Sequence, residues 1–298
     1  MLKNIADSIK DYIGSRIQNQ DALTEQALTA FFACGHILLT GPTGLGKTEW
    51  GRSLAQALGV SFNRMRLTDS LQAFELTGTT DRKLSQTELR RGPLFTHVFM
   101  ADGVENAQQK VQAILMDAMD ERITTVEADK YYLPEPFFII GTHDSARPLP
   151  EALADRFMMK IALNYPGVAA EKQMLQQRDN AEVYEPLCSA EAIALAKQEV
   201  KAVAVEDAIL NYIVSIVETT RRVGAVQTGA SPRGSIALLE AAKSYAAIQG
   251  RDFVVMDDVR NLALPVLRHR IALKQDAIQE GIQPDRIIDS ILAGRKAM

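Results

Sequence analysis

HILLTGPTGLGKT, residues 36–48, joins a short apolar run to a glycine-rich turn that ends in lysine and threonine. The apolar run predicts a buried strand, and helical spacing follows from Glu49 to Leu58 and stops at Gly59. The turn matches G-x-x-x-x-G-K-[ST], a pattern that binds phosphate when a strand precedes it and a helix follows it. The stretch therefore predicts an α/β domain built around a phosphate-binding loop.

Each position of this loop has a chemical role. Gly41, Gly44 and Gly46 let the backbone turn its N–H groups toward phosphate oxygens. Lys47 brings positive charge to the β- and γ-phosphates, and the Thr48 hydroxyl ligates Mg²⁺. We therefore predict that the chain binds ATP or ADP together with Mg²⁺. The predicted nucleotide-binding residues of the loop are Gly41, Pro42, Thr43, Gly44, Leu45, Gly46, Lys47, Thr48 and Glu49.

Two further apolar runs, HVFMAD ending at Asp102 and PFFIIGT ending at Thr142, predict buried strands with a helical segment between them. Alternating strands and helices indicate a parallel sheet that is covered by helices on both faces. A carboxylate at the end of such a strand can hold a Mg²⁺-bound water beside the loop. Asp102 is therefore a predicted catalytic residue and, with Thr48, a predicted metal ligand.

The segments on either side of this region have helical patterns. Residues 1–35 repeat apolar side chains at helical spacing. After Tyr165-Pro166-Gly167, strand-like runs nearly vanish, and amphipathic segments follow at 168–178, 189–199, 205–222, 234–248 and 256–273. We predict a nucleotide-binding core over residues 1–167 and a helical domain over residues 168–298.

Composition narrows the functional classes. The net charge is −4, so no overall basic surface points to nucleic acid. The two cysteines have no metal-binding or disulfide spacing. No apolar run reaches the ~18 residues that span a bilayer, and the charged amphipathic N-terminus does not fit a secretory signal. We predict a soluble, cytoplasmic protein with no membrane span, for which nucleic acid is an unlikely partner.

With these motifs the sequence resembles the MoxR family of AAA+ ATPases over nearly its whole length. The matching stretches are HILLTGPTGLGKT, GPLF at 92–95, the strand ending at Asp102, LMDAMDER at 115–122, LPEALADRFMMKI at 149–161, GASPR at 229–233 and LALPVLRHRI at 262–271. The resemblance implies a P-loop (Walker A) AAA+ core, whose parallel sheet is covered by helices, and a C-terminal all-α lid domain. It also implies a homo-oligomeric, hexameric ring with ATP between neighbouring subunits.

The resemblance assigns roles to three more residues. Arg156, in LADRF, matches the arginine finger that reaches the γ-phosphate of a neighbouring subunit. Arg233, in GASPR, matches the sensor-2 arginine, which is expected to close over nucleotide bound in its own subunit. His36 matches the region that borders the adenine. Arg156 and Arg233 are predicted catalytic residues, and His36 is a predicted nucleotide-binding residue.

The chain departs from the family pattern beside Asp102. Gly103 stands where the family usually has the glutamate that positions the attacking water, and the nearest glutamate is Glu105. Asp144 stands where sensor 1 is usually asparagine, and it is a candidate catalytic residue that could orient water. Glu105 could also turn back toward the phosphate, although the favoured interpretation is a solvated carboxylate at the start of a helix. Hydrolysis is therefore predicted to be weak or partner-dependent.

Several functions remain open. The first is an ATP-hydrolysing ring that remodels or matures a client protein, as a chaperone does, with a von Willebrand factor A domain protein as a candidate partner from the resemblance. The alternative is a scaffold or assembly switch that binds ATP without hydrolysing it, and a nucleic-acid motor is a third, weaker hypothesis. The resemblance also suggests an insertion at about residues 65–91 that projects toward partners or the ring pore.

Overall fold

The computed structural model describes residues 1–17, 20–83, 86–144, 147–168, 171–172 and 186–294. Its strands are β1 (Ile37–Thr40), β2 (Phe62–Arg66), β3 (Gly78–Lys83), β4 (Gln86–Arg91), β5 (Val98–Asp102), β6 (Ile123–Val126), β7 (Asp129–Tyr132), β8 (Phe138–His143), β9 (Met159–Ala162), β10 (Val226–Thr228) and β11 (Ala272–Leu273). Its helices are α1 (Leu2–Arg16), α2 (Asp21–Phe32), α3 (Lys47–Ala57), α4 (Ala73–Thr77), α5 (Gln109–Glu121), α6 (Glu151–Ala154), α7 (Ala190–Ala202), α8 (Asp207–Thr220), α9 (Pro232–Ile248), α10 (Met256–Leu267), α11 (Gln275–Gln279) and α12 (Pro284–Gly294).

A parallel sheet with the strand order β2-β5-β8-β1-β9 forms the centre of the fold. Every residue of β1 and β8 is buried, as expected for strands that helices cover on both sides. Ile37 and Leu39 of β1 pack in one apolar core with α1, α2 and α3. Leu38 points to the other face and packs in a second core with Leu115 of α5. The predicted α/β architecture is confirmed.

The C-terminal part is mainly helical, as predicted, but it also contains a short antiparallel ribbon of β10 and β11. The helices α7 to α10 correspond to four of the five predicted segments, whereas the segment at 168–178 lies largely outside the described residues. Helix α9 packs against α1 and α2 as well as against its helical neighbours. The first core therefore continues from the sheet into the helical region, and the boundary at residue 167 stays a prediction.

Two antiparallel hairpins project from the core. The segment predicted as an insertion contains α4 followed by the β3–β4 hairpin, and β6–β7 forms the second hairpin. Strand β3 and helix α4 both contact β6, so the hairpins lie side by side. Phe74 of α4 and Tyr132 of β7 expose 57% and 85% of their surface, so this region presents large apolar side chains to solvent.

The buried side chain of Arg270 connects the helical region to the segment that precedes β9 of the sheet. Arg270, which follows α10, is 2% exposed, and its Nε donates to Asp155 Oδ1 at 2.9 Å. Its other nitrogens donate to the backbone oxygens of Met158 and Phe157. The Ser231 hydroxyl donates to Asp155 Oδ2 at 2.9 Å. Burial lowers the pKa of Arg270 to about 10, even though the neighbouring Asp155 favours the charged form.

Among the described residues, no helix combines the length and the apolar character that a membrane crossing needs.

Candidate functional site

The loop between β1 and α3 has a backbone that only glycine adopts easily at three positions. Gly41, Gly44 and Gly46 have φ angles of 139°, 87° and 72°. A Cβ at Gly41 would lie 2.4 Å from the backbone oxygen of Leu163. Gly46 caps α3, so the positive N-terminal end of that helix meets the loop. These features produce a cradle suited to an anion.

The Lys47 ammonium lies inside this cradle. Its Nζ donates to the backbone oxygens of Gly41 at 2.9 Å and Pro42 at 2.7 Å. Burial lowers the pKa of Lys47, while Asp102 and Asp144 act in the opposite direction and favour the charged form. The cation is therefore placed at the loop before any phosphate enters.

A cavity of about 850 Å³ opens beside the loop. It brings together the carboxyl ends of β2, β5 and β8, which is where open parallel sheets bind ligands. Of the predicted site residues, it gathers Gly41, Pro42, Thr43, Lys47, Asp102 and Asp144. Arg64, Arg66 and Thr142 also line this cavity, and the sequence patterns did not single them out.

The Asp102 carboxylate is held in its charged form. The Thr142 hydroxyl donates to its Oδ1 at 2.6 Å and accepts from the Gly103 N–H at 2.9 Å, while Arg64 forms an ion pair with Oδ2. Burial alone would raise the pKa of Asp102, but the hydrogen bond from Thr142 and the ion pair with Arg64 outweigh burial and lower it. A charged carboxylate and the Thr48 hydroxyl are hard oxygen donors, which suit Mg²⁺.

These donors fit a metal that is bound mainly through phosphate. Among the described residues, no group of three or more His, Cys, Asp or Glu side chains could hold a metal by itself. Mg²⁺ usually takes one or two protein oxygens and completes its shell with water and nucleotide phosphates. Thr48 and Asp102 would hold the ion, which would neutralise charge on the phosphates.

The turn after β5 determines the position of Glu105. Gly103 has a φ of 79°, and residues Val104–Asn106 form one turn of 3₁₀ helix. This turn places Glu105 on the wall of the same cavity. Glu105 therefore lies in the first turn of a short helix, as the favoured interpretation has it, and it also lines the cavity, while its turn toward the phosphate stays a prediction.

A glutamate at position 103 would be strained in this turn. Its Cβ would lie 2.8 Å from Asn106 Nδ2, in a backbone region that residues with a side chain rarely adopt. The glycine and the position of Glu105 are thus two parts of one local arrangement.

Arg156 and Arg233 meet at one carboxylate. Arg156 Nε donates to Asp120 Oδ2 at 2.9 Å, and Arg233 NH1 lies 3.4 Å from Asp120 Oδ1. Arg156 comes from the segment between α6 and β9, and Arg233 from the first turn of α9. Neither arginine lines the cavity beside the phosphate-binding loop.

His36 shows where this arginine pair lies relative to the loop. It precedes β1, its Nδ1 accepts from the Ile139 N–H at 3.1 Å, and its Nε2 faces the backbone oxygen of Met119 at 3.4 Å. Met119 adjoins Asp120, so the pair lies near the amino end of β1, while the loop follows the carboxyl end. Arg233 therefore pairs with Asp120 and does not line the cavity beside the loop of its own chain, and its sensor-2 role stays a prediction. His36 is buried between Ile139 and Met119, and its place beside the adenine stays a prediction.

Comparisons with known proteins identify the family of this chain. Residues 36–159 match the family model described as "ATPase family associated with various cellular activities (AAA)", and residues 218–291 match the AAA lid domain. The protein YeaC of Bacillus subtilis is 37% identical over 280 residues, which cover 91% of this chain and 88% of that protein. Chaperone MoxR1 of Mycobacterium tuberculosis is 33% identical over 295 residues, covering 93% and 78% of the two chains. The chain belongs to the MoxR family of AAA+ ATPases.

A solved structure supports the same assignment. A Cytophaga hutchinsonii protein assigned as an ATPase superposes with a TM-score of 0.91 at 30% identity, and covers 98% of this chain and 94% of its own. The AAA lid match falls within the part that contains α9, α10 and the β10–β11 ribbon. The MoxR-family fold predicted from the sequence, a P-loop core with a helical lid, is thereby confirmed.

The residues that sequence analysis missed in this MoxR-family site come from neighbouring strands. Arg64 and Arg66 alternate along β2, and Thr142 pairs with Asp102 across β5 and β8. The period-2 spacing of the two arginines before a turn was a usable signal, because alternate residues of a strand share one face. Thr142 carried no such signal, since a threonine in a buried strand is common.

His36 gives this MoxR-family protein a measurable pH dependence. Burial lowers its pKa from 6.5 to about 4, and the hydrogen bond that Nδ1 accepts from the Ile139 N–H requires the neutral ring. The unfolded chain therefore takes up the proton first, and stability is lost as the pH falls from 6.5 toward 4. We expect His36 to contribute a slope of up to ~1.4 kcal/mol per pH unit to the unfolding free energy.

Chemical denaturation of wild type and His36→Gln at pH 7 and pH 5 measures this slope. Glutamine keeps one donor and one acceptor but does not titrate, so its unfolding free energy should change less between the two pH values. Equal changes in both proteins would show that His36 is not the group that titrates.

Proposed function

We propose that this protein is a ring-forming, chaperone-like ATPase whose nucleotide sites are completed between subunits. The observation that carries the proposal is the separation of the phosphate-binding loop from the Arg156–Arg233 pair. Arg156 and Arg233 pair with Asp120 and do not line the cavity beside the loop, which supports a site that is completed when a second subunit brings its arginines to the loop.

The chemistry at the loop and at the arginine pair supports this arrangement. At the loop, Lys47 would bind the β- and γ-phosphates, and Thr48 and Asp102 would hold Mg²⁺. At the arginine pair, two guanidinium groups could pair with the charge that develops on the γ-phosphate. Asp120 holds both arginines together in this chain. We propose that Arg156 acts as the arginine finger and that Arg233 assists it from the same side.

The assembly that follows is a head-to-tail ring. The two contacting surfaces differ, and a contact of that kind closes a ring or continues as a filament. A closed hexamer is the form that the family resemblance favours. Cytoplasmic location is likewise part of the proposal.

Turnover by the isolated protein is proposed to be slow or partner-dependent. The water-positioning glutamate of the family is replaced by Gly103. Groups that position or deprotonate water typically contribute ~10²- to 10⁴-fold to rate. Arg64 also pairs with Asp102, and this ion pair must give way or rearrange when Mg²⁺ is bound. Contact with a client could supply that rearrangement.

The client is proposed to be a protein. The Mycobacterium tuberculosis relative is named a chaperone. Phe74 of α4 and Tyr132 of β7 are exposed and offer apolar contact to an unfolded or flexible segment. A von Willebrand factor A domain protein is the partner class that the family resemblance suggests. A nucleic-acid motor fits less well, because the net charge is −4.

A scaffold that binds ATP without hydrolysing it is the second candidate. The observation in its favour is the combination of Gly103 with the Arg64–Asp102 ion pair, which leaves the metal-binding carboxylate occupied. In such a scaffold, bound ATP would stabilise the contact between subunits and would persist.

Binding and single-turnover hydrolysis of Mg²⁺·ATP test the proposal. Lys47→Ala should weaken ATP binding by ~10- to 100-fold, since it removes a charged hydrogen-bond donor to phosphate, and should reduce hydrolysis to background. Lys110→Ala removes an exposed lysine on α5 and is the control. If wild type binds ATP but hydrolyses it no faster than Lys47→Ala, the scaffold is favoured. Failure of wild type to bind ATP contradicts both functions.

A further inference from the structure

Glu105 occupies a position that its distance from Asp102 in sequence does not suggest. The positive φ of Gly103 reverses the chain after β5, and the single 3₁₀ turn brings Glu105 onto the cavity wall with Lys47 and Asp102. The carboxylate is therefore on the phosphate-binding side of the sheet.

The side chain of Glu105 is held by a relay of hydrogen bonds. Arg147 NH1 donates to Asn106 Oδ1 at 2.7 Å, and Asn106 Nδ2 donates to Glu105 Oε1 at 3.3 Å. Arg147 is fixed in turn, because its backbone oxygen contacts His143 Nε2 at 2.7 Å. One oxygen of the carboxylate is thus anchored by residues outside the phosphate-binding loop.

The second oxygen is shielded and unpaired. Glu105 Oε2 is buried and has no hydrogen-bond partner among the described residues. Leaving a carboxylate oxygen in that state costs free energy, and native proteins keep few such groups without a functional reason. A carboxylate with one oxygen anchored and the other without a partner keeps one oxygen able to accept a further hydrogen bond.

Asp144 lines the same cavity but is more exposed than Glu105. Its side chain is exposed to solvent at the end of β8, where water competes for its oxygens. A carboxylate that orients one water molecule works best when its own position is fixed and bulk water is excluded. The difference in exposure favours Glu105 over Asp144 as the carboxylate that orients water.

We propose that Glu105 orients and deprotonates the water that attacks the γ-phosphate, in place of the glutamate that the family usually has at position 103. The inference rests on the proposed ATPase function and names the base that this function needs. The water oxygen forms a bond to the γ-phosphorus, the bond to the β,γ-bridging oxygen breaks, and ADP leaves with that electron pair. The water proton passes to the Glu105 carboxylate and then to phosphate or solvent.

Three conservative variants test this role. Glu105→Gln keeps the shape of the side chain and removes its basicity, Asp144→Asn does the same at the competing position, and Glu121→Gln is a matched control at an exposed position of α5. Each is compared with wild type and Lys47→Ala in single-turnover hydrolysis. ATP affinity, the ratio of ATP to ADP recovered on the protein, and the melting temperature without nucleotide are measured alongside.

We expect Glu105→Gln to reduce hydrolysis by ~10²- to 10⁴-fold while ATP affinity stays within a few-fold of wild type. Bound nucleotide should be recovered as ATP, and the melting temperature without nucleotide should not fall, since glutamine keeps the oxygen that accepts from Asn106 and replaces the oxygen that has no partner. Asp144→Asn should retain more activity than Glu105→Gln, and Glu121→Gln should match wild type.

Two results would overturn the inference. Hydrolysis by Glu105→Gln at the wild-type rate would exclude Glu105 as the base. A lower melting temperature together with weaker ATP binding would show that Glu105 supports the fold of the turn instead. If the proposed ATPase function is itself wrong, wild type will hydrolyse ATP no faster than Lys47→Ala. That result is distinct from both results that overturn the role of Glu105.

Discussion

Arg270→Met is expected to lower the unfolding free energy by about 3–5 kcal/mol. The guanidinium is 2% exposed, bonds Asp155 and caps backbone oxygens that follow α6. Methionine fills a similar volume but donates no hydrogen bond. The substitution leaves the Asp155 carboxylate without its main cation and leaves buried carbonyl groups unpaired, and both losses are costly away from water.

Denaturant titration of Arg270→Met beside Arg222→Met measures this effect. Arg222 pairs with Glu218 one helical turn earlier and is 73% exposed, so its loss should cost no more than ~0.5 kcal/mol. Similar losses for the two variants would show that Arg270 does not hold the lid to the core.

This buried contact also bears on activity. Asp155 precedes Arg156 in sequence, and Ser231, which bonds Asp155, lies two residues before Arg233. The contact between lid and core therefore sets the positions of both arginines that are proposed to complete a neighbouring site.

The sequence predicted the features that depend on residues close together in the chain. HILLTGPTGLGKT specifies a strand, a loop and a helix start within thirteen consecutive residues, and β5 and β8 are apolar because both of their faces are buried. Lys47, Asp102 and Asp144 consequently line one cavity, as strand-end positions require.

The features that sequence analysis missed depend on contacts between distant segments. Arg270 and Asp155 are separated by 115 positions, and no local pattern marks them as partners. The place of Arg233 depends on how the lid packs against the sheet, which helical periodicity does not encode. The position of Glu105 depends on a single backbone reversal at Gly103, and glycine permits such a reversal without requiring it.

Arg156→Ala is expected to reduce hydrolysis by ~10³- to 10⁵-fold, the range for arginine fingers in known phosphoryl-transfer enzymes. ATP binding should be much less affected, since Arg156 does not line the phosphate-binding cavity of its own chain. The variant should also remain folded, because Arg156 is an ion-pair partner near the surface and its removal leaves Arg233 beside Asp120.

Mixing Arg156→Ala with Lys47→Ala tests most directly whether the sites lie between subunits. Each variant alone should hydrolyse ATP at background rate. In a mixed assembly, an intact loop from the first variant can meet an intact arginine from the second. Random mixing at equal amounts should restore roughly a quarter of wild-type activity, because the contacting surfaces are head-to-tail. A mixture that co-assembles and binds ATP but is no more active than the two variants measured separately would contradict the account.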